Sequence, residues 1–209
     1  MSETPEATPD FSADPGRNLA EAILDFVGHI PQSSKEPSRH PDKQARHLAK
    51  LIARRAALSA GAMALPPGPM GWLTLAPELF AVWKFQTGMV ADIAAIYGKQ
   101  AKLTRELMIY CLFHHTAALA VGDLVVHRGE RFFVQRVSIR TLRAVAQKIG
   151  LRIAQRTIGK SLARWVPIAG ALGVGAYVYR DTEKVARTAM ALFANEIEID
   201  CGDETRTQQ

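Results

Sequence analysis

The chain has 209 residues, of which 48% are hydrophobic and only 7% are aromatic. This composition excludes a disordered, collagen-like or disulfide-stapled protein, and the length is sufficient for one domain with a sizeable core. The formal net charge is +6, so an anionic membrane surface or a nucleic acid is a candidate partner. Two cysteines, Cys111 and Cys201, provide no disulfide framework and indicate a reducing compartment.

Both ends of the chain are predicted to be flexible acidic tails. Residues 1–16 contain three prolines, four acids and no base, and they lack the features of a secretory signal. Residues 195–209 contain five acids and one base without a helical period, which predicts a solvated tail. The helical domain is predicted to span 17–194.

The first predicted helices are separated by a Pro- and Ser-rich linker. Apolar residues at helical spacing predict a helix over 17–29, and residues 31–41 are the linker. A second amphipathic helix follows over 41–58, with basic residues along one arc and alanine, leucine and isoleucine along the other. The basic arc includes Lys43, Arg46, Lys50 and Arg54.

Three runs without Asp, Glu, Lys or Arg follow, over 56–77, 107–122 and 165–179. The first run is interrupted by Pro66, Pro67, Gly68 and Pro69, so its two arms of about 15 Å predict a hairpin that reaches half the depth of a bilayer's hydrocarbon layer. The other two runs are short for a membrane span and are equally typical of buried bundle helices. A helix over 71–97 follows the hairpin turn.

The basic charge is concentrated between Arg128 and Arg164, where ten Lys or Arg residues face one acid. Within this stretch 136–153 predicts a second basic amphipathic helix, which is typical of helices that lie on anionic lipid. Each basic helix leads into an uncharged run, as expected at the cytoplasmic edge of a membrane segment. The predicted lipid contacts are Lys43, Arg46, Lys50, Arg54, Pro66, Pro67, Gly68, Pro69, Met70, Trp72, Arg136, Arg140, Arg143, Lys148, Arg152 and Trp165.

The run 165–179 is rich in small residues at a spacing of four, which lets two helix backbones approach closely. It predicts a helix-packing set of Ala169, Gly170, Gly173 and Gly175.

No catalytic residue, metal or cofactor is predicted. Cys111, His114 and His115 could offer metal ligands, but adjacent histidines diverge by about 100° on a helix and no second ligand cluster is present. Residues 154–161 fit a loose phosphate-loop pattern without the preceding strand that such a loop requires. The basic stretch contains few aromatic residues and no nucleic-acid-binding motif, so nucleic acid is not an expected partner.

The order of several segments resembles the EcsC protein family. They are Lys43–Arg46, the Gly/Pro-broken run, Pro77–Gln86, the IAAIYG stretch within Ala91–Gly98, and VPIAGALGVGAYVYRDTEKVA from Val166. The resemblance covers most of residues 41–194 and implies an all-helical, bacterial-type protein associated with the membrane. The founding member of the family is encoded beside the subunits of an ABC transporter, which implies an accessory role. The family has no established catalytic residues to carry over.

The sequence therefore predicts one all-α domain, a single bundle of six to eight helices with apolar hairpins. The expected function is non-enzymatic contact with anionic lipids at the cytoplasmic face of the cell membrane, peripheral or monotopic, with a membrane-protein partner. One alternative is a soluble helical adaptor or oligomer in which 56–83 and 165–179 form a protein interface. A third is a metal-dependent enzyme centred on Cys111 and the two histidines.

Overall fold

The structure is a computed structural model that describes residues 15–63, 75–158 and 167–200. Within these ranges the chain forms six α-helices and three short strands, which confirms the predicted helical bundle. The elements in chain order are α1 Pro15–Gly28, α2 Pro41–Met63, α3 Leu75–Ile96, α4 Arg105–Val121, β1 Val125–Arg128, β2 Arg131–Gln135, α5 Ile139–Ile158, α6 Pro167–Ala194 and β3 Glu196–Asp200.

Local chemistry accounts for where several helices begin. Pro41 occupies the first position of α2, where its missing N–H costs no helical hydrogen bond. The Thr104 hydroxyl accepts a 3.4 Å hydrogen bond from the Leu107 N–H at the start of α4. The Ser138 hydroxyl accepts a 3.3 Å bond from the Thr141 N–H at the start of α5. These caps satisfy N–H groups that have no partner within the helix.

The predicted linker is a loop that is fixed to the end of α3. The Ser38 N–H donates to the Ile96 carbonyl at 2.9 Å, and the Ser33 hydroxyl donates to Asp92 at 2.6 Å. The loop therefore turns the chain from α1 to α2 along a defined path.

Helix α4 lies in the core and packs against α3, α5 and α6. Its side chains from Glu106 to Phe113 are buried, so the uncharged run 107–122 begins as a buried bundle helix. Helical backbone angles are interrupted at Ala117. Next to α4, an aromatic cluster with ring centroids 5.5–6.2 Å apart joins α1, α3 and α4; its members are Phe26, Phe80, Trp83 and Phe113.

Helices α2 and α6 pack in antiparallel fashion. The first part of α2 lines a groove with the last part of α6, whereas Ala57 in its second half lies against Gly175 near the start of α6. The buried face of α2 is formed mainly by alanines, which permit a close approach of the two helices. They are Ala45, Ala49, Ala53, Ala56 and Ala60.

A three-stranded sheet is the part of the fold that the sequence analysis did not predict. Strand β2 pairs antiparallel with β1 and parallel with β3, in the order β1-β2-β3. Gly129 has φ +61° in the turn between β1 and β2, a conformation that glycine adopts without steric cost. The prediction of a solvated tail from residue 195 is wrong for Glu196–Asp200, because Ile197 is buried and this segment pairs with β2.

Candidate functional site

The predicted basic residues of α2 are exposed, but the apolar face of this helix is occupied. Lys43, Arg46, Lys50 and Arg54 all lie on the solvent side of α2. The opposite face is buried against α3 and α6. Because that face already contributes to the core, the basic first part of α2 has no free apolar stripe with which to enter a lipid interface.

Helix α5, on a different part of the domain, also combines exposed cations with a buried apolar face. Arg140, Arg143 and Lys148 are exposed, as is Arg136 just before the helix, whereas Arg152 is half-buried. The apolar face of α5 packs against α1 and α4, with Leu142, Val145, Ala146 and Ile149 buried. Both basic helices therefore present cations to solvent while their apolar faces stabilise the bundle.

The described parts of two uncharged runs meet at one end of the domain. We call the surface formed by residues 56–63 of α2 and 167–179 of α6 the apolar end. A small hydrophobic cluster holds it together, separate from the main core, and α3 contributes Val82 and Phe85. The other members are Ala56, Ala60, Val174 and Val178.

Gly175 is the member of the predicted helix-packing set that lies in the contact between α2 and α6. A Cβ atom at this position would lie 3.1 Å from the Ala57 carbonyl oxygen, closer than an ordinary van der Waals contact. Gly173 is exposed, and a Cβ atom there would meet nothing within 4 Å. Ala169 and Gly170 lie in the first turn of α6, where only the backbone is described.

Several predicted lipid contacts lie outside the described residues. These are the turn residues Pro66, Pro67, Gly68, Pro69, Met70 and Trp72, together with Trp165. By sequence, the first group connects α2 to α3, and Trp165 precedes α6.

The apolar end exposes large apolar side chains. Leu58 is 75% exposed, Leu172 is 71% exposed and Tyr177 is 52% exposed. Exposed cations lie next to the apolar end on each of the three helices. They are Arg54 and Arg55 on α2, Lys84 on α3, and Arg180 on α6. An apolar surface bordered by cations is typical of a site that contacts anionic lipid. None of the described helices is long and apolar enough to cross a bilayer.

A polar layer, buried at Gln86 and Thr182 and half-buried at His115 and Asp181, follows the apolar end along α3 and α6. Asp181 accepts hydrogen bonds from the Gln86 amide at 2.9 Å and from His115 Nε2 at 2.7 Å. The Gln86 amide also donates to the Thr182 hydroxyl at 3.2 Å. Among the residues described, His115 Nδ1 is a buried atom without a hydrogen-bond partner.

His115 stood out in the sequence as a possible metal ligand, whereas its partner Asp181 and the neighbouring Gln86 and Thr182 did not. Gln86 and Thr182 are almost fully buried within helices that are otherwise apolar on the same face. Polar residues at core positions were the available signal, but the pairing joins residues 95 positions apart. No local pattern identifies such a pair.

The proposed metal ligands do not converge in the described part of the chain. Cys111 is fully buried, and burial raises the pKa of its thiol well above the usual range. The His114 ring packs against Tyr110 with centroids 4.6 Å apart, and burial together with neighbouring His115 lowers the pKa of His114. No cluster of three or more His, Cys, Asp or Glu side chains suited to a metal occurs among the described residues.

Comparison with known proteins adds no family assignment. The chain matches no family model, no curated protein and no solved structure.

Proposed function

We propose that this protein is a non-enzymatic factor that attaches to the cytoplasmic face of the cell membrane by its apolar end, as a peripheral or monotopic protein. Its ligand is an anionic lipid surface, and it serves as an accessory to a membrane protein, the role that the resemblance to the EcsC family implies. The observation that carries the proposal is the exposed apolar end with cations at its border.

The dimensions of the apolar end favour shallow insertion. At 1.5 Å per residue, residues 167–178 of α6 extend about 18 Å and residues 56–63 of α2 about 12 Å. Both lengths are well short of a hydrocarbon layer about 30 Å thick. The apolar end would therefore enter one leaflet while the polar layer and the main core stay outside it.

The expected binding energy has an apolar and an electrostatic part. Full burial of a leucine side chain contributes about 2 kcal/mol, so the exposed parts of Leu58 and Leu172 together contribute about 3 kcal/mol. Each cation close to an anionic surface contributes about 1 kcal/mol. Arg54, Arg55 and Arg180 would supply about 3 kcal/mol more, and salt would weaken this second part only.

The other basic residues lie farther from the proposed contact. From Arg46 to Ala56, where the apolar end begins, the rise along α2 is about 15 Å, nearly twice the screening length of about 8 Å at physiological salt. With α2 upright on the membrane, Lys43 and Arg46 contribute little direct lipid contact, and Lys50, about 9 Å along the helix from Ala56, contributes less than Arg54. The α5 cations form a second basic surface. They attract the domain to anionic lipid by long-range electrostatics, and this attraction strengthens as α5 comes closer to the membrane.

Flotation with vesicles tests the apolar part. Leu58→Ser together with Leu172→Ser should weaken binding to phosphatidylglycerol-containing vesicles about 100-fold at both low and high salt, because about 3 kcal/mol of burial is lost. The matched control is Ile139→Ser, which removes a side chain 60% exposed at the first residue of α5. Equal loss in both variants, or no vesicle binding by the unaltered protein, would refute the proposal.

Charge variants test the electrostatic part. Replacing Arg54, Arg55 and Arg180 by Gln should weaken binding about 100-fold at low salt and much less at high salt. Reversing Arg140, Arg143 and Lys148 to Glu measures the contribution of α5, and we expect a salt-sensitive loss there too. Unchanged binding in both sets would leave the apolar end as a protein interface, the soluble-adaptor alternative, which a concentration-dependent increase in sedimentation coefficient would support.

A further inference from the structure

A second surface of the molecule, on the other halves of α2 and α6 from the apolar end, combines a cationic groove with an apolar one. The apolar groove has a volume of about 490 Å³ and lies between the first part of α2 and the last part of α6. The cationic groove, of about 540 Å³, lies along the first part of α2 and the loop before it. Arg46 and Lys50 line both, so the two grooves are adjacent.

The lining of the apolar groove combines alanines and Met190 with Tyr97 and five charged side chains, which are Asp42, Arg46, Lys50, Glu183 and Arg187. Ala49 and Ala186 are buried in its floor, Met190 is half-buried, and Ala191 is exposed along its side. The apolar area of its lining and its open shape would accommodate a hydrocarbon chain. Methionine adapts readily to such a chain because its side chain is unbranched and flexible.

The charges around the grooves favour an anion. The two linings together carry four Lys or Arg side chains and two carboxylates, a formal balance of +2. Of the carboxylates, Asp42 accepts a hydrogen bond from the Tyr97 hydroxyl and Glu183 pairs with Arg187 at 3.4 Å. The cationic groove contains no carboxylate. Within residues 15–63, 75–158 and 167–200, its three cations form no ion pair; they are Lys43, Arg46 and Lys50.

We propose that these grooves form one binding site for a single-chain anionic amphiphile, with its phosphate or carboxylate head on Arg46, Lys50 and Lys43 and its chain along Ala186 and Met190. The site is independent of the proposed membrane contact, because it lies at the opposite end of α2 from the apolar end. The ligand is a single molecule in solution and not the surface of a bilayer.

Three probes on the unaltered protein test the ligand class by calorimetry, with dodecyl phosphate kept below its critical micelle concentration and dodecanol below its solubility limit. Dodecyl phosphate should bind with a stoichiometry of one. Inorganic phosphate, which lacks the chain, and dodecanol, which lacks the charge, should each bind at least 10-fold more weakly. Equal binding of dodecyl phosphate and dodecanol, binding of several molecules per chain, or no binding would overturn the proposal. Dodecanoate in place of dodecyl phosphate distinguishes a carboxylate from a phosphate head.

Variants test the location. Arg46→Gln with Lys50→Gln should weaken dodecyl phosphate binding about 100-fold, about 10-fold for each charged hydrogen bond removed. Ala191→Glu, at an exposed lining position, should weaken it by placing a carboxylate beside the chain. The matched control is Arg54→Gln with Arg55→Gln, on the same helix but outside both grooves. Loss in the control equal to that in the groove variants would refute this location.

The control also separates this inference from the proposed function. Arg54→Gln with Arg55→Gln should weaken vesicle flotation and leave dodecyl phosphate binding unchanged, whereas Arg46→Gln with Lys50→Gln should do the opposite. Failure of flotation alone would count against the membrane contact only. Failure of dodecyl phosphate binding alone would count against the amphiphile site only.

Discussion

The contact between α2 and α6 offers a matched test at two glycines of one helix. A Cβ atom added at Gly175 would lie 3.1 Å from the Ala57 carbonyl oxygen, which belongs to the backbone and cannot rotate away. At Gly173, two residues earlier on α6, the same atom would meet nothing within 4 Å. Replacing each glycine by valine therefore makes the same chemical change at a position that contacts α2 and at a position that has free space around it.

The expected magnitudes follow from this difference. Valine has a higher helix propensity than glycine by a few tenths of a kcal/mol, and both variants gain this term. Only Gly175→Val must also push the two helices apart, and overpacking of this kind costs about 1–3 kcal/mol. In a protein of this size 1 kcal/mol corresponds to about 2–4 °C in thermal midpoint. We expect a decrease of about 2–10 °C for Gly175→Val and an increase of about 1–2 °C for Gly173→Val.

Thermal unfolding by circular dichroism measures both midpoints, and hydrogen exchange of peptides from α2 and α6 shows where stability is lost. For Gly175→Val we expect faster exchange in the second half of α2. Equal midpoints for the two variants, or faster exchange for Gly173→Val, would refute the close approach of α6 to Ala57.

Three further predictions concern the polar layer, protonation and the junction of α6 with β3. Asp181→Ala removes two acceptors from the polar layer and should lower the free energy of unfolding in urea by about 2–3 kcal/mol. Glu183→Ala removes an equally half-buried acid that pairs with the exposed Arg187, and it should cost under about 1 kcal/mol; similar losses would contradict the network around Asp181. Because burial lowers the pKa of His114, the unfolded chain binds the proton more tightly, so the free energy of unfolding should fall as the pH is lowered from about 7.5 to about 5.5. His114→Asn should reduce that slope, and an unchanged slope would count against this assignment. The Lys99 ammonium donates to the Asn195 carbonyl at 2.6 Å, so Lys99→Met should speed amide exchange in β3, and unaltered exchange would show that this bond does not hold the strand.

The helices could be predicted from the sequence because each carries its own periodic signal. Alanine and leucine at helical spacing identified α2, and isoleucine, leucine and valine at the same spacing identified α5. The observed boundaries differ from the predicted ones by a few residues, with α2 extending to Met63 beyond the predicted end at 58. Local patterning determines these helices, and packing extends them.

The sheet was missed because charge was given more weight than alternation. In Glu196–Asp200 the isoleucines alternate with acids, which is the two-residue period of a strand. The acids are balanced by Arg131 on the neighbouring strand, which lies 3.2 Å from Glu196 and 2.5 Å from Glu198. That compensation depends on a residue 65 positions earlier, so the segment alone resembles an acidic tail.

The uncharged runs and basic residues of the candidate site could be predicted from the sequence, but their meeting at one end of the domain could not. Each uncharged run was visible in the sequence, but their meeting depends on the antiparallel packing of α2 and α6. The sequence grouped Lys50 and Arg54 in one basic arc. The structure assigns Lys50 to the grooves and Arg54 to the border of the apolar end, because Lys50 lines both grooves and Arg54 lines neither. Positions on one helix face can thus belong to different surfaces.

The alanine face of α2 has a consequence for how the domain comes apart. A methyl group buries much less area than a leucine or isoleucine side chain, so a helix of 23 residues that meets its neighbours mainly through alanines has little hydrophobic energy per turn. Half-buried Leu48 and Ile52 are its larger apolar contacts with the main core. Detachment of α2 therefore removes few large apolar side chains from the core for its length, whereas α4 buries Leu107, Met108 and Phe113, and we expect α2 to separate before α4 when the native state is weakened.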